Sequence, residues 1–203
     1  MTEPVLQGRS SSHFTRTARI FAHELEVPYR FRPVLDLMSQ DAADYADNPA
    51  LKVPIWIDEH GPLYGTENIC RALARRAAKD AHVVLRGDVS TRVVANAEEL
   101  TLHVMSAEVS LITAKLAGAT PPPKVARGIE NSLSYLDVNL EAVLAALPAR
   151  RTLSFIEVSL FCVIQHLPFR QIMDVEPWQR LTSFARRFAE RTSARSTEYR
   201  FDS

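Results

Sequence analysis

Apolar residues at Phe14, Ala18, Phe21, Ala22 and Leu25 recur at helical spacing, which predicts a helix from Phe14 to Leu25 with one buried face. The small polar run just ahead, Ser10-Ser11-Ser12, supplies side chains of the kind that accept from the first free amides of a helix. Val5-Leu6-Gln7 reads as a short strand, and Tyr29-Arg30-Phe31-Arg32-Pro33-Val34, where aromatic and basic residues alternate, as a half-buried one. Strand, helix and strand in that order predict a βαβ unit. An acidic stretch from Asp36 to Asn48 leads to a turn at Asn48-Pro49. Val53-Pro54-Ile55-Trp56-Ile57 is a very apolar strand whose proline stands near its start, where a missing amide donor is tolerated. Asp58-Glu59-His60-Gly61 predicts a hairpin turn into Pro62-Leu63-Tyr64. A helix from Thr66 to Ala78 follows, with Ile69, Ala72 and Leu73 inward.

The second half has a different pattern. Val94, Leu100, Val104, Met105, Val109, Ile112 and Leu116 carry one helical period from Asp88 to Leu116, which Gly118 and Pro121-Pro122-Pro123 then stop. Further helices are predicted over Lys124 to Leu147, Val158 to Leu167 and Pro177 to Ala194. Ser154-Phe155-Ile156-Glu157 has the spacing of a capping box ahead of the third of these four helices. No strand is predicted here. The reading is an α/β domain over residues 1–80 and an all-α domain over residues 87–203, joined near Lys79 to Arg86.

Composition narrows the function classes. Lys and Arg together number 24, as do Asp and Glu, so the formal net charge is zero and nothing draws the chain to nucleic acid or to an anionic membrane. A zero net charge also does little to oppose self-association. No apolar run is long enough to span a bilayer, and the polar stretch from Met1 to Ser12 has no signal-peptide core. Cys70 and Cys162 lie far apart with no CxxC pair and read as buried free thiols, so a cytoplasmic location is expected. No metal-ligand spacing, phosphate-binding glycine loop or nucleophile–His–acid order stands out. His13 reads as a solvated surface histidine, and Arg16 and Arg19 as outer-face residues of the first helix.

Three local patterns carry a family resemblance. Ser12 and the helix behind it, ending in Glu24-Leu25, resemble the opening of the cytosolic glutathione transferases, in a serine-type, bacterial-like form. Lys52-Val53-Pro54-Ile55-Trp56 is similar to that family's K-V-P strand entry. Ser154-Phe155-Ile156-Glu157 resembles its S-x-x-D box, and Phe188 to Ser193 resembles its R-P-S segment. The resemblance implies a thioredoxin-like front domain, a helical back domain, a cis Val53-Pro54 peptide and a homodimer. It implies glutathione as co-substrate, with no metal, held by Ser11, Phe14, Lys52, Val53, Pro54, Gly65, Thr66 and Glu67. It implies an enzyme in which Ser12 stabilises the thiolate, which attacks a small hydrophobic electrophile or a peroxide. Met105, Glu108 and Ile112 are the candidate electrophile pocket, from the periodicity of the long helix.

Read from the residues alone, Ser12 has two possible uses. A hydroxyl at a helix N-terminus can donate to a thiolate, aided by the helix dipole, and it can equally cap the helix. One position departs from the family. Gly65-Thr66 stands where Glu-Ser or Gln-Ser normally receives the γ-glutamyl end of glutathione, and Gly65 has nothing to offer an ammonium. Glu67, one position on, is the candidate substitute. The alternative reading is a non-catalytic binding or assembly protein that keeps the fold without the chemistry.

Overall fold

The computed structural model describes residues 3–203. Met1 and Thr2, the first two residues of the polar stretch, lie outside the described residues. Four strands, β1 (Val5–Gly8), β2 (Arg30–Pro33), β3 (Ile55–Asp58) and β4 (Gly61–Tyr64), form one sheet in the order β2-β1-β3-β4. β1 runs parallel to β2 and antiparallel to β3, and β3 and β4 make the hairpin. Pro33 is tolerated because β2 lies at the sheet edge, and Pro54 precedes β3 through a cis peptide with Val53. Helices α1 (His13–Glu24) and α2 (Thr66–Arg76) complete this thioredoxin-like α/β domain. Leu6, Trp56, Ile69 and Leu73 are fully buried between sheet and helices.

The helical region comprises α3 (Arg92–Leu116), α4 (Pro123–Ala146), α5 (Phe155–Phe169), α6 (Gln179–Phe188) and α7 (Thr192–Arg195). α5 begins at Phe155 rather than Val158, directly behind its Ser154 cap, and three further features differ from the sequence expectation, each for a local reason. α3 begins at Arg92 rather than Asp88, because the Asp88 carboxylate accepts from the Leu85 amide and closes a turn through Gly87, which has φ +85°. The expected last helix is divided into α6 and α7 by an extended Arg191. The segment read as strand-free contains β6 (Leu153–Ser154), which pairs in parallel with β5 (Val83–Val84) and ties the connecting segment to the start of α5.

One continuous core runs through both regions, from Leu6 and Trp56 to Val104, Phe161, Leu167 and Leu181. α1 is central to it, with nine of its twelve residues buried. Arg16 and Arg19, expected on the outer face, are 2% and 8% exposed. The Arg16 guanidinium lies between the Phe161 and Tyr199 rings and donates to the Ala194 carbonyl. Arg19 lies over Phe31 and donates to the Ser196 carbonyl. At the other end of α1, the Glu24 carboxylate accepts from Arg191 and from the Ser193 hydroxyl. Two of the motifs singled out above therefore meet each other in space.

The capping box forms with one change, the Glu157 carboxylate meeting the Ser154 hydroxyl rather than its backbone amide. Ser154 Oγ accepts from the Glu157 amide at 3.2 Å and donates to the Glu157 carboxylate, which also holds Arg151 through two hydrogen bonds. Burial alone would raise the Glu157 carboxyl, but Arg151 and Ser154 hold it below the usual carboxylate range. A carboxyl depressed in the fold contributes stability above its unfolded pKa of about 4.3, and that contribution is lost as pH falls through the folded value. Glu157→Gln, which retains capping ability, should lower the urea midpoint at neutral pH. The gap from wild type should close as the titration is repeated below about pH 4.

Candidate functional site

The β1–α1 turn is set by a close approach. A Cβ on Gly8 would stand 2.6 Å from the Thr15 side chain, so glycine lets the end of β1 pass against the first turn of α1. Arg9 donates its amide to Thr15 Oγ1, and Ser12 Oγ accepts from the Thr15 amide at 3.2 Å as the N-cap of α1. Of the three serines, Ser10 and Ser11 are buried at 1% and 5% exposure, and only Ser12 is partly open to solvent. Capping uses one acceptor lone pair of Ser12 and leaves its O–H free to donate.

The other expected glutathione contacts fall as follows. Thr66, the first residue of α2, donates its hydroxyl to the Phe14 carbonyl at 3.4 Å, which joins the starts of α1 and α2. Phe14 is partly exposed, and Lys52 is exposed, its carbonyl accepting from Asn48. Val53 and Pro54 form the cis peptide at the entry to β3, and Val53 makes no backbone hydrogen bond among the described residues. Gly65 is exposed and is the N-cap of α2, without a side chain to cap it. The Glu67 carboxylate is engaged by Arg71 at 2.9 Å and Arg86 at 3.6 Å. A groove of about 430 Å³ lies beside the end of β2, lined by Gln7, Arg32, Val34 and Asp44 among others; Ser12 does not line it.

The three expected electrophile-pocket residues do not form one open wall. Ile112 is partly exposed, whereas Met105 and Glu108 are completely buried. Glu108 belongs instead to a polar cluster with His13 and His166, all at most 2% exposed. His166 Nδ1 lies 2.8 Å from Glu108 Oε1 and 2.8 Å from His13 Nδ1. His13 Nε2 faces the Met105 carbonyl at 3.2 Å, and His166 Nε2 faces the Ser11 carbonyl at 2.8 Å. The expectation of a solvated His13 is thus corrected, because α3 and α5 cover the first turn of α1. Burial, and then the neighbouring His166, push His13 well below the usual histidine range. Burial raises the Glu108 carboxyl, against the pull of His166. The sequence signal for this cluster was an acid and a histidine inside otherwise apolar helical rows.

Residues 11–76 match the family model for the glutathione S-transferase N-terminal domain. The front domain is thus of the glutathione S-transferase N-terminal type, and solved structures extend the likeness in fold to the whole chain. A glutathione S-transferase from Methylobacillus flagellatus KT, with glutathione bound, superposes with a TM-score of 0.79 at 20% identity, covering 98% of this chain and 100% of that one. A glutathione transferase family member from Pseudomonas fluorescens Pf-5, also with glutathione, gives 0.79 at 22% identity over 98% and 100%. A glutathione S-transferase from Methylobacterium radiotolerans JCM 2831, in complex with glutathione sulfonate, gives 0.76 at 18% identity over 100% and 98%. Comparison with curated protein sequences finds no match. Among the described residues no helix is long and apolar enough to cross a membrane.

Gly65 has φ +88° and ψ 133°, a conformation that side-chain-bearing residues adopt only under strain. A Cβ there would meet nothing closer than Asn68 Nδ2 at 3.7 Å, so backbone strain is the whole cost. Gly65→Ala should lower stability by roughly 1–3 kcal/mol in urea unfolding. Gly65→Glu should cost as much, rather than restoring the acid usual at this position.

Proposed function

We propose that the protein is a serine-type glutathione transferase. The observation that carries this reading is Ser12: it caps α1, is the serine of the run that reaches solvent, and retains a donor for a thiolate. Glutathione lies along the edge formed by Ser12, the unpaired backbone of Val53 and the start of α2, where the amides behind Gly65 receive its γ-glutamyl carboxylate. The small electrophile enters beside the exposed part of α3 near Ile112, and two copies of the chain pair in solution. Orientation of both reactants in one cleft supplies much of the rate.

A second reading has its own observation. Gly65 carries no acid and Glu67 is already paired with Arg71 and Arg86, so the glutathione ammonium lacks an evident partner. This favours a binding or assembly protein without transferase chemistry. Calorimetric titration with glutathione separates the two, since no heat at millimolar ligand would leave only the second.

If Ser12 stabilises the thiolate, Ser12→Ala should lower kcat/KM towards a general electrophile roughly 10²-fold at neutral pH. The loss should shrink as pH approaches the ordinary thiol pKa of about 8.5, where the thiolate forms unaided. A loss that is the same at every pH would assign Ser12 to helix capping alone.

A further inference from the structure

The cluster of His13, Glu108 and His166 draws together the first turn of α1, the middle of α3 and the last turns of α5. His13 Nδ1, His166 Nδ1 and a Glu108 carboxylate oxygen lie within 4.8 Å of one another. The outer nitrogens of both rings face backbone carbonyls, of Met105 and Ser11, so they carry the N–H groups. Both Nδ1 lone pairs are then turned inward, and they face each other at 2.8 Å. Two lone pairs at that distance repel unless a positive species lies between them. A single proton on His166 Nδ1 would serve His13 Nδ1 and Glu108 Oε1. It would leave Glu108 Oε2, on a completely buried side chain, without the hydrogen-bond partner it lacks, although this atom is directed towards His13 Nδ1 at 3.7 Å. A cation accepts all four donor atoms.

We propose that His13, Glu108 and His166 bind one first-row divalent cation of the zinc class. Two neutral imidazoles and one carboxylate suit zinc or its neighbours and not calcium or magnesium, which take oxygen ligands. Histidines that bind metal almost always donate their other ring nitrogen to a carbonyl or carboxylate, as both do here. Around a tetrahedral zinc ion neighbouring ligand atoms stand about 3.3 Å apart, so the two Nδ1 atoms, and His166 Nδ1 and Glu108 Oε1, must each separate by about half an ångström. Arg170 places positive charge near both His13 and Glu108, which opposes a cation, and the Glu108 carboxylate supplies the negative charge that offsets it. The donors come from positions 58 and 153 residues away from His166, which is why no ligand spacing is visible in the sequence. Occupancy does not depend on glutathione, because all three donors are buried.

The full chain, stripped of metal by chelator dialysis, is titrated with cobalt(II) and then with zinc. The expected result is one equivalent of cobalt per chain, with the visible absorption of a four-coordinate nitrogen–oxygen site, displaced by zinc. Affinity should fall at least tenfold in Glu108→Gln and in His166→Gln. The combined change of His60→Gln and His82→Gln, at two exposed histidines, should leave it unchanged. Should the buried variants fail to fold, wild-type protein gives the answer by long-range proton–nitrogen NMR. One equivalent of zinc should then move the Nδ1 signals of His13 and His166 together. No cobalt uptake, undiminished uptake by Glu108→Gln, or zinc shifts confined to exposed histidines would each overturn the proposal and leave the cluster holding only a proton.

Discussion

α1 is buried around most of its circumference, between the sheet on one side and α5 on the other. A helix in that position has little water to which it can turn its polar side chains, yet this one carries His13, Arg16, Arg19 and Glu24. Each is met from the far end of the sequence. His166 faces His13, the Ala194 and Ser196 carbonyls receive Arg16 and Arg19, and Arg191 with Ser193 holds Glu24. Aromatic faces from Phe31, Phe161 and Tyr199 cover the guanidinium groups. These pairings join the two regions alongside the continuous apolar core. The last described residues join in, since Asp202 accepts from the Ser10 amide in the turn that carries Ser12.

Much of this architecture is legible in the sequence. The succession of strands and helices along the chain and the Ser154–Glu157 box follow local rules of period, turn and cap, whereas the cis Val53–Pro54 peptide is implied by the family resemblance. What could not be read is polar burial. A helical pattern counts arginine and histidine as outward residues, and nothing near Arg16 in sequence announces that two aromatic rings and a carbonyl will receive it. The same holds for Glu108, an acid in an apolar row whose partner, His166, lies 58 residues away. The missed strands β5 and β6 are two residues each, too short to leave a period.

The candidate site shows the same division. A serine cap on α1 is legible because capping is local, but in the sequence only the family register favours Ser12 over Ser10 and Ser11, and partial exposure separates it from them in three dimensions. Gly65 reads as a lost acid in the sequence, but its backbone has a further reason to be glycine, a φ of +88° at the start of α2. Whether that position was relinquished for function or for geometry, the two demands coincide in one residue.

The pairings of α1 also bear on how the chain is made. α1 leaves the ribosome long before its partners: Arg191 follows Glu24 by 167 residues and Ala194 follows Arg16 by 178. Until residues 191–196 are made, Arg16, Arg19 and Glu24 therefore lack the carbonyls, the arginine and the serine that meet them in the fold. The front half is encoded first and is finished last.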